Sequence, residues 1–387
     1  MKYVGFFDIS SEHRKRSVYP ASRDKMIYIA NRISKYTHVE IISASGVCGK
    51  HSEKACVEKI TDKISLKLFY SLGKKVLLLG IIGSAITIIQ LFFYLLIYTK
   101  RDEKIIVYHS LGYMFFISLA RKIKKFYLIL EIEEIYSDVT GDTWMRNREL
   151  QFFQSADAYL FPTQLLDSLV NIKRKPSIII HGTYQIEEDR KFDNISEISK
   201  MFDEHMIHCV YAGTLDSRKG GAIAAASSAQ YLPENYHVHI LGFGSEKDIR
   251  IIKDQIADIS EKSKARVSYD GVVSGEDYIR YLQNCDIGLS TQNPDGKYND
   301  TSFPSKVLSY LANGLRVVSI CIPVVEQSAV GDILYYYDKQ TPEKIAEAIL
   351  SVDLYAPYDS KERIKKLDIK FTNEIYKILI DEEEENN

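Results

Sequence analysis

The chain has 387 residues, enough for two or three domains and a large core. Apolar residues make up 45% and charged residues 26%, which excludes wholesale disorder, a collagen helix and a coiled coil. The formal charge of −2 excludes a generic nucleic-acid binder, whose affinity needs a basic surplus.

In chain order, the opening MKYVGFFDIS reaches Asp8 too soon to hold the apolar stretch of a secretory signal, so the chain is expected in the cytoplasm. Residues 3–9 read as a buried strand, 24–36 as an amphipathic helix and 38–43 as a second strand. Further short strands are expected at 105–108, 126–132, 158–161 and 177–180. A polar segment at 186–200 reads as a linker, after which the pattern restarts with strands at 208–212, 237–241, 267–269, 287–290, 317–320 and 334–337. A helix over 361–380 closes the chain before an acidic stretch, 381–385, that reads as a solvated, disordered end.

Alternating strands and helices predict an α/β protein of two Rossmann-like, doubly wound domains facing a central cleft, with ligands at the carboxyl ends of the strands. The expected boundaries are 1–190, 200–356 and a C-terminal helix and tail from 357.

Residues 76–98 strain this picture: 23 residues without a charge, about 35 Å as a helix, are long enough to span a bilayer core. Lysines and an arginine flank both ends, so no orientation follows. Gly80, Gly83, Ser84, Thr87 and Gln90 recur at helical spacing and form a small, mildly polar face suited to packing on protein. A core or interfacial helix of the first domain is therefore expected, with a spanning or re-entrant segment as the alternative. The first 125 residues carry 22 basic and 9 acidic groups, including the run Arg121, Lys122, Lys124, Lys125, against 28 and 43 in the remainder. That asymmetry points to peripheral contact of the first domain with an anionic membrane; the plainer reading is a solvated helix face.

The five cysteines show no C-x-x-C spacing, so buried reduced thiols are expected rather than disulfides or a cysteine zinc site.

Four loops carry chemistry. AGTLDSRKG (212–220) follows a strand and opens a helix; its small residues let the backbone approach an anion, and Arg218 and Lys219 add two cations. LGFGSE (241–246) is a glycine turn with Lys247 where a dinucleotide fingerprint needs a third glycine, which argues against a nicotinamide enzyme. YDGVV (269–273) ends another strand at the same edge. SFPSKVLSYLANGLRVVS (302–319) runs from a polar loop through a short helix and a glycine stop into a buried strand.

In this order and spacing these segments resemble the donor-nucleotide half of family-4 glycosyltransferases with the GT-B fold, of the bacterial polysaccharide-assembly type. YHSLGYMFFISLARKIKKFYLILEIEEIY (108–136) and SIIIHG (177–182) extend the resemblance loosely into the first half. It implies transfer of a sugar from a nucleotide-sugar, with retention and without a metal or other cofactor; the absence of an Asp-x-Asp triplet fits. It further implies that Gly213, Arg218 and Lys219 hold the diphosphate, with Arg218 and Lys219 as catalytic cations and Thr214 also among the donor-binding residues. Gly242, Phe243, Asp270, Gly271 and Val272 surround the nucleobase, and Ser302, Phe303, Ser305 and Lys306 lie near the sugar and phosphate.

Two departures stand out. Where the family carries two glutamates with seven residues between them, this chain has Thr301 and Ser309, so the ribose hydroxyls would be held by the neutral Ser309. Aligned on the strand LILEIEEI, Glu133 takes the place of the family's catalytic-side histidine and Glu134 that of its aspartate. Glu133 could orient an acceptor hydroxyl, and His109 is the other first-domain candidate.

The expected function is transfer of a hexose to a saccharide acceptor, lipid-linked and at the inner membrane face, in capsule or exopolysaccharide assembly. The alternatives are a catalytically silent GT-B binding module, which would bind no nucleotide diphosphate, and a membrane-spanning protein using 76–98.

Overall fold

The computed structural model describes residues 1–9, 16–18, 20–74, 77–189, 202–216, 220–294, 296, 299 and 301–379. Arg218, Lys219, most of the 186–200 linker and the acidic end 381–385 lie outside the described residues.

The chain forms two compact units, Met1–Thr183 with Ile369–Asn387, and Tyr184–Asp368. The first holds eight strands: β1 (Lys2–Gly5), β2 (Val39–Ser43), β3 (Cys56–Lys59), β4 (Ile64–Leu68), β5 (Lys104–Tyr108), β6 (Tyr127–Glu131), β7 (Ala158–Phe161) and β8 (Ser177–Ile179). Their order is β3-β4-β2-β1-β5-β6-β7-β8, parallel throughout except that β3 pairs antiparallel with β4. Runs such as YVG in β1 and AYLF in β7 are buried on both faces, as a parallel sheet covered by helices requires. The β3–β4 hairpin is absent from the sequence expectations because β3, at the edge, only alternates between half-buried and exposed residues.

The second unit holds β9 (Ile207–Thr214), β10 (Tyr236–Phe243), β11 (Arg266–Gly271), β12 (Ile287–Ser290), β13 (Arg316–Ile320) and β14 (Tyr335–Tyr337). All pair parallel in the order β11-β10-β9-β12-β13-β14, which is the doubly wound 3-2-1-4-5-6 order. The closing helix, Ser360–Leu379, is not a separate appendage from residue 357: it starts in the second unit and ends in the first. There Phe371 stacks on Tyr28 at 5.7 Å, and Lys104 Nζ donates to the last carbonyls, of Ile378 and Leu379, at 2.9 and 2.8 Å.

The apolar segment forms the helix Leu77–Tyr98, the one helix among the described residues long and apolar enough to cross a membrane. It carries the chain from β4 to β5, two strands of one sheet. Gly83, Thr87, Leu91 and Leu95, four residues apart, form its buried stripe, and Leu91 and Leu95 join the core with Val4, Ile42, Ile105 and Leu128. Gln90 Nε2 donates to the Tyr70 carbonyl at 2.8 Å. The small face therefore packs on protein as expected. Packing of this stripe on the sheet also runs against the spanning alternative. The other side of the helix is not covered: only 28% of its apolar window is buried, and Ile81, Ile89, Phe93 and Ile97 are exposed.

Candidate functional site

In the second unit the strand order reverses between β9 and β12, and ligands of such sheets sit outside the carboxyl ends at the reversal. The β9–β10 ladder runs up to that edge, pairing Gly213 with Gly242 and Thr214 with Phe243, and Leu241 pairs with Gly271 on β11. Three adjacent strands thus carry a glycine at the end (β11) or one residue before it (β9 and β10). Gly242 has φ 149°, and a Cβ there would lie 1.8 Å from the Gly213 carbonyl oxygen, so no other residue fits.

Lys306 opens the short helix Lys306–Ala312, which Tyr310 anchors. The buried Tyr310 hydroxyl accepts from the Ala212 N–H at 2.8 Å, and its ring fills the space over Gly288, where a Cβ would come within 2.3 Å of it. One turn earlier, Lys306 Nζ lies 3.6 Å from the Tyr211 ring centroid and 3.1 Å from where a Gly213 Cβ would be. A cation therefore stands at the end of β9. The Tyr211 hydroxyl donates to the Thr214 carbonyl at 3.3 Å.

Gly220, in the left-handed region at φ 64°, caps the next helix, Gly221–Ser227, and Thr291 Oγ1 after β12 donates to the Gly221 carbonyl at 2.7 Å. Phe243 and Val272, at the ends of β10 and β11, are exposed apolar side chains. Ser305 is exposed beside Lys306, Phe303 is buried, and Ser302 Oγ is shielded from water without a hydrogen-bond partner among the described residues.

Two sequence-predicted residues are occupied by protein partners. Ser309 hydrogen-bonds the Tyr278 hydroxyl. The Asp270 carboxylate turns into the sheet, where His239 Nδ1 lies at 2.7 Å and the Tyr281 hydroxyl donates at 2.5 Å. These donors hold its carboxyl below the ordinary range against the opposing effect of burial. Asp270 is thus a bracing residue of the strands, and the base-facing role expected of its side chain is corrected.

In the first unit the order reverses between β1 and β5, and an acidic cluster gathers there at the strand ends. Glu133 accepts from Lys25 Nζ at 2.5 Å, and Lys25 also donates to the Ile180 carbonyl at 3.0 Å. Glu131, two residues earlier on the same face, is fully buried and accepts from the Tyr3 hydroxyl. Burial pushes its carboxyl up to about 8. Tyr108 and Tyr136 hydrogen-bond each other beside it, and burial followed by the Glu133 charge drives the Tyr108 hydroxyl well above its usual range.

His109 is a correction. Its ring is 1% exposed, stacked on Tyr136 at 5.1 Å and met edge-on by Phe153 at 4.6 Å. Burial holds it down at about 3, and its Nε2 lies 3.4 Å from the buried Glu149 carboxylate, so it is a residue packed in the core rather than one open to a substrate. Sequence reasoning missed Lys25 and Glu131. The available signals were one acid in the apolar strand YLILE and a lysine on the buried side of an amphipathic helix.

Several solved structures share the fold. An E. coli trehalose-6-phosphate structure bound with UDP-2-fluoro glucose has a TM-score of 0.68 at 13% identity, covering 97% of this chain and 98% of its own. An α,α-trehalose-phosphate synthase (UDP-forming) from Burkholderia xenovorans in complex with glucose-6-phosphate has a TM-score of 0.66 at 12% identity, covering 96% of both chains. Sucrose-phosphate synthase from Thermosynechococcus elongatus has a TM-score of 0.65 at 11% identity, covering 98% of this chain and 99% of its own. No protein-family model and no curated protein matches the chain by sequence. At these identities the likeness is one of architecture: two Rossmann-like sheets in the GT-B fold.

Proposed function

We propose that the chain is a glycosyltransferase that moves a hexose from a nucleotide-sugar to a saccharide acceptor. The observation that carries this reading is the row Gly213, Gly242, Gly271 with the Lys306 ammonium set against its first member. Backbone that approaches closely, beside a fixed cation at a sheet reversal, suits a diphosphate. The E. coli neighbour holding a UDP-sugar analogue in the same fold supports it. Lys306, Arg218 and Lys219 neutralise the departing diphosphate, and Phe243 and Val272 offer an apolar bed for the base. Ser302 and Ser305 meet the sugar and phosphate, while Ser309, engaged by Tyr278, grips the ribose less firmly than a glutamate would.

Neither metal nor other cofactor is invoked in the reaction. The acceptor hydroxyl attacks from the side the diphosphate leaves, giving retention, and the leaving phosphate takes its proton. Glu133, poised by Lys25, orients the acceptor.

The acceptor we favour is lipid-linked, as in capsule or exopolysaccharide assembly at the cytoplasmic membrane face. Support comes from the exposed apolar side chains of Leu77–Tyr98 and, on the helix Met114–Lys124, of Phe115, Leu119 and Ile123 beside Lys122 and Lys124. The Burkholderia neighbour in complex with glucose-6-phosphate makes a soluble sugar phosphate the competing acceptor.

The test is a screen of nucleotide-sugars for release of nucleoside diphosphate, repeated with the double variant Arg218→Ala, Lys219→Ala. One donor should turn over in the unaltered chain and not in the folded variant; equal turnover in both overturns the assignment. The capture of Ser309 by Tyr278 favours one second reading, a silent binding module. Calorimetry with a panel of nucleoside diphosphates separates the two, since a silent module that has lost ribose recognition binds none.

A further inference from the structure

Far from the strand ends, β9 and β10 carry three histidines on one face of the sheet. His208 and His237 are direct partners in the ladder, and His239 lies two residues further along. One ring nitrogen of each falls within 4.8 Å of those of the other two; His208 and His239 are buried and His237 half-buried. Phe202 covers them, 4.9 Å from His208 and 5.2 Å from His239, and Tyr281 closes the side at 5.6 Å.

The hydrogen bonds around the cluster fix where its protons are. Asp270 accepts from the hydroxyls of Tyr281 and Ser268 and faces His239 Nδ1 at 2.7 Å; the Tyr281 hydroxyl, its proton given to Asp270, also lies 2.7 Å from that nitrogen. A carboxylate only accepts, so His239 carries its proton on Nδ1 and a lone pair on Nε2. His208 Nε2 faces the Asp203 carbonyl oxygen at 3.1 Å, which again only accepts, so the His208 lone pair is on Nδ1. With both rings neutral, these two lone pairs would face each other across 2.9 Å, so a proton or a metal ion belongs between them. The single hydroxyl proton of Ser268 goes to Asp270, so Ser268 Oγ accepts from His237 Nε2 at 2.9 Å. That leaves the His237 lone pair on Nδ1, a buried atom without a partner among the described residues. Three imidazole lone pairs shielded from water, two of them in direct opposition, call for a cation between them.

We propose that His208, His237 and His239 bind one divalent first-row transition-metal ion, zinc by the chemistry of the donor set, with Asp270 as the carboxylate that orients His239 from behind. To bind a tetrahedral ion with bonds of about 2.0–2.1 Å, the two nitrogens at 2.9 Å part by about half an ångström and turn toward a common point, and the third, within 4.8 Å, closes in. His208 precedes Gly213 by five residues on β9, about 16 Å of strand, so the ion lies away from the diphosphate position. Its role is structural: it ties β9 to β10 and, through Asp270, to β11, the three strands that carry Gly213, Gly242 and Gly271 at their carboxyl ends. This inference does not depend on the proposed transfer reaction.

The test is a titration of the full-length, chelator-stripped chain with zinc chloride, followed by calorimetry and metal analysis. One zinc per chain is expected, with a raised Tm, and cobalt(II) in its place should give the visible absorption of a tetrahedral nitrogen site. Asp270→Asn should weaken zinc binding about 10- to 100-fold, and His237→Gln by more than about 100-fold. The cobalt spectrum is read on the unaltered chain, so it decides the matter even if a variant does not fold. No zinc retained by the folded chain, or unchanged affinity in folded His237→Gln, overturns the site. So does nitrogen NMR of the zinc-equilibrated protein showing His239 protonated on both ring nitrogens, since a proton would then be the bridging cation.

Discussion

The Lys306 ammonium lies over the Tyr211 ring, 3.6 Å from its centroid, and both are set by the packing of Tyr310 one turn further along the helix. The lysine is thereby held at the end of β9 without blocking it. Lys306→Ala should lower kcat/KM for the nucleotide-sugar by about 10²- to 10³-fold, the range for losing one charge-stabilising donor, while Tm changes little. Tyr211→Leu keeps the charge but removes the ring that positions it, so a smaller loss is expected, seen mainly in kcat. Full turnover in folded Lys306→Ala would remove this residue from the site.

Glu131 makes stability depend on pH in a defined direction. Its carboxyl sits at about 8 in the fold because of burial, against 4.5 when free. Between those values the folded chain holds a proton that the unfolded chain has released, so stability falls as pH rises from about 4.5 to about 8. Glu131→Gln is neutral throughout and should lack this loss, overtaking the unaltered chain above pH 8. Each pKa unit is worth about 1.4 kcal/mol, which puts the gain at a few kcal/mol at most. Urea midpoints at pH 5 and pH 9 measure it, and parallel behaviour of the two chains would contradict the burial argument.

The enclosure of His109 and the Lys25–Glu133 ion pair make opposite predictions for two residues that the sequence ranks together. His109→Ala opens a cavity beside Tyr136 and Phe153 and should destabilise by about 2–4 kcal/mol, with turnover per folded molecule nearly unchanged. Glu133→Gln should do the reverse: a modest change in Tm and a loss of transfer, with donor binding retained. Denaturation curves together with turnover corrected for folded fraction separate the two.

The strand ends were legible because glycine at a steric limit leaves a sequence mark: the G-x-G of 242–244 and the Asp-Gly of 270–271 both fall where the backbone demands them. β7 and β12 match their expected bounds because a buried parallel strand is a short, mostly apolar run. Side-chain direction was not legible. Asp270 and Val272 are read from one motif, yet Asp270 is still in β11 and bonds to His239 and Tyr281, while Val272 lies past the strand end, beyond the left-handed Gly271, and is exposed. The three histidines escaped for a related reason. A search for metal ligands by cysteine spacing cannot see imidazoles that only strand pairing, His237 against His208, brings together. Residue 309 shows the opposite limit, since its tyrosine partner comes from a different helix, Gly275–Gln283.

The exposed face of Leu77–Tyr98 sets the last expectation. Ile81, Ile89, Phe93 and Ile97 lie four or eight residues apart and share one side of the helix, opposite the stripe Gly83, Thr87, Leu91, Leu95 that packs on the sheet. Such a helix can lie in a membrane interface without crossing it, and cations on Met114–Lys124 add about 1 kcal/mol each near an anionic surface. The chain should therefore sediment with vesicles containing phosphatidylglycerol and much less with phosphatidylcholine alone. Ile89→Asp with Phe93→Asp removes two side chains worth roughly 1.5–3 kcal/mol each on burial, so binding should fall by more than about tenfold while the fold persists. Carbonate washing of cell membranes should release the unaltered chain; retention in the pellet would mean that this helix crosses the bilayer, against its packing on the sheet.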